Sequence, residues 1–146
     1  MRTFDDFDAW GEAVSGASLR LACDAVEKRE WSLGILDLES VVLQVASEGG
    51  GNVCYGANTH AGPILFVPLS HAREHVVNGS PLDDESLLAI PRGADFSIRV
   101  HRTAHAWCSV ALPDGVSIGA AEASGSTSVA CPPDRKSTRL NSSHEW

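Results

Sequence analysis

Residues 75–98 read HVVNGSPLDDESLLAIPRGADFSI. The apolar pair Val76-Val77 runs into Asn78-Gly79, two residues that tolerate the positive φ a type I′ turn demands, so a hairpin is expected there. Pro81-Leu82 resumes the chain, and the acidic run Asp83-Asp84-Glu85 interrupts it. Leu87, Leu88 and Ile90 form a second short apolar run, closed by Pro91-Arg92-Gly93. Phe96, Ile98 and Val100 then alternate with Ser97 and Arg99, the period-2 pattern of a half-buried strand. Three short strands, each ended by turn residues within so short a span, point to a sheet or barrel.

Upstream, the chain begins with a different period. Phe4, Phe7, Trp10, Ala13 and Val14 recur near every 3.6 residues, which predicts a helix over 4–14 packed on the sheet. Thr3 with Asp6 resembles a capping box, and Gly16 is a natural stop. Leu19 and Leu21 alternate with Arg20 and Ala22. Trp31, Leu33 and Ile35 also alternate, a turn is expected over 36–40, and 41–45 returns as a strand. Gly49-Gly50-Gly51 predicts a flexible connector, because glycine inside a helix or strand gives up too much backbone entropy. No GxxxxGK[ST] follows, so it is not read as a phosphate loop. Residues 52–55 suggest one more short strand. The run 64–69, between Gly62-Pro63 and Ser70, is a buried strand, and 106–112 is the last clear one, with Trp107, Ser109 and Ala111 on one face.

Composition narrows the class. A chain of 146 residues with 43% hydrophobic content closes one core. No apolar run approaches the roughly 18 to 20 residues that span a bilayer. The acidic, amphipathic N-terminus MRTFDDFDAW is unlike a secretory signal. Cys23, Cys54, Cys108 and Cys131 stand far apart with no CxxC pair, which leaves no zinc knuckle or disulfide framework, though a single distant bridge stays open. A reduced, cytoplasmic setting is expected. The net charge of −8 argues against a nucleic-acid surface.

The reactive residue types assemble no recognisable signature. His71 and His75 are four apart, as are His101 and His105. On a helix that spacing puts both rings on one face, but in extended chain it separates them by about 13 Å. They are read as surface or hydrogen-bonded histidines. Cys108, within an apolar strand, is expected to be a buried, inert thiol. Ser70 and Ser109 lack a Gly-x-Ser-x-Gly elbow, and the acidic trio at 83–85 reads as a solvated rim. No catalytic residue, metal ligand or cofactor motif is predicted.

Beyond Pro113 the composition shifts. Residues 114–133 are Ser/Gly/Ala-rich and aperiodic, as a linker or disordered segment would be. Residues 134–144, DRKSTRLNSSH, resemble one translated frame of a common sequencing adapter, so 134–146 are set aside as an artefact. Without them, residues 1–133 carry 17 acidic and 8 basic side chains, a net of −9.

FDDFDAW (4–10), REWSLGILDLESVVLQ (29–44), GGGN (49–52), NGSPLDDESLLAIPRGADF (78–96) and WCSVALP (107–113) together resemble the N-terminal regulatory domain of AraC-type transcriptional regulators. The likeness covers nearly all of 1–113. It implies a mainly β fold, a cupin-like antiparallel barrel or sandwich with an N-terminal helix, that senses a small-molecule effector, mediates homodimerisation, or both. Trp31, Phe66 and His75 are the candidate lining of an effector pocket in the barrel interior. The basic helix-turn-helix module that follows in such regulators has no counterpart here, so the chain is read as a truncated fragment. The alternative is a small metal-dependent cupin enzyme. Pro91-Arg92-Gly93 echoes the second motif of those enzymes, but Phe96 stands where its histidine would be, and no His-x-His occurs.

Duplex binding depends on neutralising phosphates with Lys and Arg, and an acidic surface repels DNA within a Debye length of about 8 Å. The chain is therefore expected to show no saturable binding to duplex DNA in a low-salt anisotropy titration up to micromolar concentrations.

Overall fold

A computed structural model describes residues 1–118 and 128–130. Its elements are β1 (Arg2–Phe4), α1 (Phe7–Ala13), β2 (Ala17–Val26), β3 (Trp31–Asp37), β4 (Val42–Glu48), β5 (Gly50–Asn58) and β6 (Ile64–Pro68). A 3-10 turn (Ala72–Glu74) leads to β7 (His75–Val77), β8 (Ser80–Pro81), β9 (Leu87–Ile90), β10 (Asp95–Val100), β11 (His105–Ala111) and β12 (Ser128–Ala130). Among the described residues no helix is long and apolar enough to cross a membrane.

The strands form two antiparallel sheets, ordered β1-β3-β4-β11-β6-β9-β12 and β2-β5-β10-β7-β8. Within them, β4-β11-β6-β9 and β5-β10-β7-β8 are the two four-stranded halves of a jelly roll, because the chain crosses between sheets at nearly every step. Cupins share that architecture. The expected mainly β sandwich with an N-terminal helix is what forms, and its sheets are open rather than closed into a barrel. Side chains from both sheets meet in one core that includes Phe66, Leu88 and Trp107 from the larger sheet and Val77, Phe96 and Ile98 from the smaller.

The 75–98 stretch folds as its pattern demands. Asn78 and Gly79 take φ of 48° and 85°, and Val76 and Val77 pair with Pro81 and Ser80. Asn78 Oδ1 also accepts the Ser97 N–H at 2.8 Å, which ties the hairpin to β10. Phe96, Ile98 and Val100 are buried, and Asp95 and Arg99 point to water.

Four expectations change. The helix starts at Phe7, not Phe4. Its cap is Asp6, whose carboxylate accepts the Ala9 N–H at 2.8 Å, while Thr3 pairs with Ser32 in β1. Phe4 lies opposite Trp31, so strand pairing claims it before the helix can. Seven residues make a marginal helix alone; Trp10, 1% exposed and donating its indole N–H to the Ser32 carbonyl at 3.2 Å, holds it down. Second, the glycine run is no loose connector. Gly49 turns the corner between sheets, and Gly50 and Gly51 open β5, all three buried. A Cβ on Gly50 would sit 1.8 Å from the Ala25 carbonyl oxygen, and one on Gly51 2.2 Å from the Arg102 nitrogen. Close approach of backbone, not flexibility, requires glycine there. Third, Cys108 is half-buried on the outward side of β11, while Trp107, Ser109 and Ala111 face in. Fourth, β12 extends the larger sheet by pairing with β9, within the stretch read as linker. Residues 134–146 lie outside the described residues.

Leu88 is wholly buried. Leu88→Ala is expected to cost about 2–5 kcal/mol in urea denaturation, from lost burial plus an unfilled cavity. Gly50→Ala should be at least as disruptive, since backbone rather than a movable side chain occupies the space.

Candidate functional site

Between the sheets lies a cavity of about 70 Å³. By the register, Gln44 of β4 stands opposite Ser109 of β11, and Ser109 opposite Phe66 of β6, so all three project inward. Trp10 and Val14 close the cavity from the helix side, and Leu19, Leu21, Phe96 and Ile98 from the smaller sheet. The wall is apolar except for two polar groups of residues.

The first group is centred on Gln44, 3% exposed. Its Oε1 accepts the Ser15 N–H at 2.8 Å, and its Nε2 donates to the Ser15 carbonyl at 2.9 Å and to Ser109 Oγ at 3.3 Å. A buried amide with unmet valences is costly, so these bonds pin the segment after α1 onto the cavity.

The second group surrounds Glu48 at the end of β4. Its Oε1 accepts the Trp107 indole N–H at 2.6 Å and lies 3.4 Å from His105 Nε2. Asn52 Nδ2 donates to Oε2. His105 Nδ1 donates to the Thr103 carbonyl at 3.0 Å, which leaves Nε2 for the carboxylate. Burial alone would lower the His105 pKa. The bond to Glu48 and its charge, with the carbonyls of Thr103 and Gly50, outweigh that and raise it above the usual histidine value.

His75 is fully buried, edge-on to His105 with ring centroids 5.2 Å apart and 5.9 Å from Phe66. Its Nδ1 donates to the His71 carbonyl at 3.0 Å, so the neutral ring carries a bare lone pair on Nε2. That atom has no hydrogen-bond partner among the described residues. Burial first, then the charge of His105, pushes the His75 pKa down to about 4 against the help of the His71 carbonyl.

Of the residues expected to line a pocket, Phe66 lies on the cavity wall. His75 sits beside Phe66 and His105, and Trp31 packs against Phe7 at 5.8 Å beneath the helix. The two i, i+4 histidine pairs do not act as pairs. One member of each, His75 and His105, meets inside, while His101 pairs with Asp24 at 2.6 Å near the surface. Gln44, Glu48 and Asn52 escaped the sequence reading, which met His105 only as a member of a spaced histidine pair. Only Gln44, a polar break in VVLQVA, left a local trace. Among the described residues no three His, Cys, Asp or Glu side chains are grouped to hold a metal.

Glu48 and His105 also line a cleft of about 300 Å³ on the outside, beside Lys28, Glu30 and Ser70. The pair therefore separates an apolar interior from a polar, open notch. No protein-family model, curated protein or solved structure matches this chain.

With a folded pKa near 4, His75 takes up its proton more readily when unfolded, near 6.5. Its contribution is complete above pH 6.5 and is lost as pH falls toward 4, on the order of 3 kcal/mol. His105, shifted the other way, contributes below its unfolded pKa and loses that as pH rises through its folded value. Urea melts between pH 7 and 4.5 should show stability falling with acid, and a shallower slope in His75→Gln. An unchanged slope would assign the titration elsewhere.

Proposed function

We propose that this chain is the effector-sensing and dimerisation domain of a cytoplasmic transcriptional regulator of AraC type, with DNA contact left to a separate module. One observation carries the reading: an interior cavity, apolar over most of its wall, whose polar groups hold the chain that covers it. A cavity of this composition suits a small organic effector with an apolar body and one or two hydrogen-bonding groups.

Gln44 gives such binding a consequence. Its amide is divided between Ser109, on the cavity wall, and the backbone of Ser15, just after α1. An effector that engages Gln44 competes with Ser15 and biases the position of α1 and β2. A ligand shifts such an equilibrium only by its differential affinity for the two arrangements, and the Gln44 amide supplies that difference. The jelly-roll frame stays rigid while the covering segment responds.

A thermal-shift screen of small aromatic and aliphatic acids, alcohols and amines tests this. A compound at about 100 times its dissociation constant should add roughly 2.7 kcal/mol, a rise of several degrees. It should also change tryptophan emission, since Trp10 and Trp107 line the cavity. Ser109→Leu, which fills the space, should abolish both responses. Hits that bind Ser109→Leu unchanged would place the ligand outside the cavity and overturn the reading.

A further inference from the structure

The outward face of the larger sheet is apolar. Side chains of directly opposed residues in antiparallel strands project to the same side. One outward row is Leu36, Leu43, Val110 and Leu65, ending at the buried Ala89, and the next is Gly34, Val45, Cys108 and Val67. Neither row contains a charged or polar side chain. The inward row between them carries the buried Gln44 and Ser109. These strands thus carry branched aliphatics on the outward face as well as the core residues Phe66, Leu88 and Trp107 on the inward one, unlike a sheet that alternates apolar-in with polar-out toward water. Leu36 and Leu38, 52% and 55% exposed, carry the apolar surface on to the tip of the β3–β4 hairpin.

The size and charge of this face indicate its occupant. Five strands about 4.8 Å apart, over two or three rows about 6.8 Å apart, give a patch of roughly 300–450 Å². With its rim, two such patches facing each other bury on the order of 1,000 Å², the lower limit for a specific interface. The chain carries a net charge of −8, so most approaches between two copies are repulsive. A two-fold contact brings a patch against itself, which an uncharged face permits. Flat sheet faces also stack on one another, about 10 Å apart, through interdigitated branched side chains.

We propose that two copies of this chain pack the outward faces of their larger sheets together across a two-fold axis. Leu43, Val45, Cys108 and Val110 form the centre, and Leu36 the rim. This rests on the dimerisation half of the reading above and names its surface. An interface of this area gives a concentration-dependent dimer rather than a permanent one.

Sedimentation of the full chain from about 1 to 300 µM should show a mass rising from 15.5 kDa toward twice that value. Val110→Lys and Leu36→Lys should each weaken association at least tenfold and leave the melting profile of the dilute protein unchanged. Leu36 is exposed, so its variant decides the matter if Val110→Lys misfolds. Raising NaCl to 0.5 M should tighten the wild-type dimer, because screening removes repulsion and leaves the apolar contact intact. A wild-type chain that stays monomeric overturns the face and dimerisation together, with effector sensing still judged by its own screen. A dimer that survives both substitutions, or loosens with salt, overturns the face alone.

Discussion

A buried carboxylate organises one end of this sandwich. Glu48 is 4% exposed, and an unpaired charge at that depth would cost several kcal/mol. Its oxygens instead face Trp107, His105 and Asn52. Those partners come from β11 and β5, strands of different sheets, so one side chain joins both layers where the chain crosses between them. Trp107 passes the constraint inward through Trp10 and Phe66, at ring separations of 6.4 and 5.6 Å. Burial, and secondarily the positive charge His105 would carry, favours the neutral form of His75.

The corner that carries Glu48 exists only because its neighbours lack side chains. Gly49 to Gly51 let the backbones of 25–30 and 100–102 come within van der Waals distance of β4 and β5. The interior beyond that corner is filled less completely. Ser109 and Gln44 occupy inward positions where larger apolar residues would otherwise pack. A void of about 70 Å³ costs on the order of 2 kcal/mol. On the other side of the same strands Leu43, Val45 and Val110 face outward. One sheet therefore presents a polar-edged cavity on one side and an apolar face on the other.

The sequence determined the strand content, the Asn78-Gly79 hairpin, the phase of β10 and the inward face of β11, because each is a local matter of φ tolerance or period-2 alternation. It misjudged what depends on a distant partner. Phe4 has helical phase, yet pairs across from Trp31. Three glycines look like slack until the backbones of Ala25 and Arg102 stand against them. Only the tertiary structure decided which polar residues share a site. Gln44, Glu48, His75 and His105 lie on three strands, and nothing in their spacing distinguishes a buried histidine from a solvated one. Burial and charge pairing are set by what the other sheet presents, and that is settled only when the two sheets close on each other.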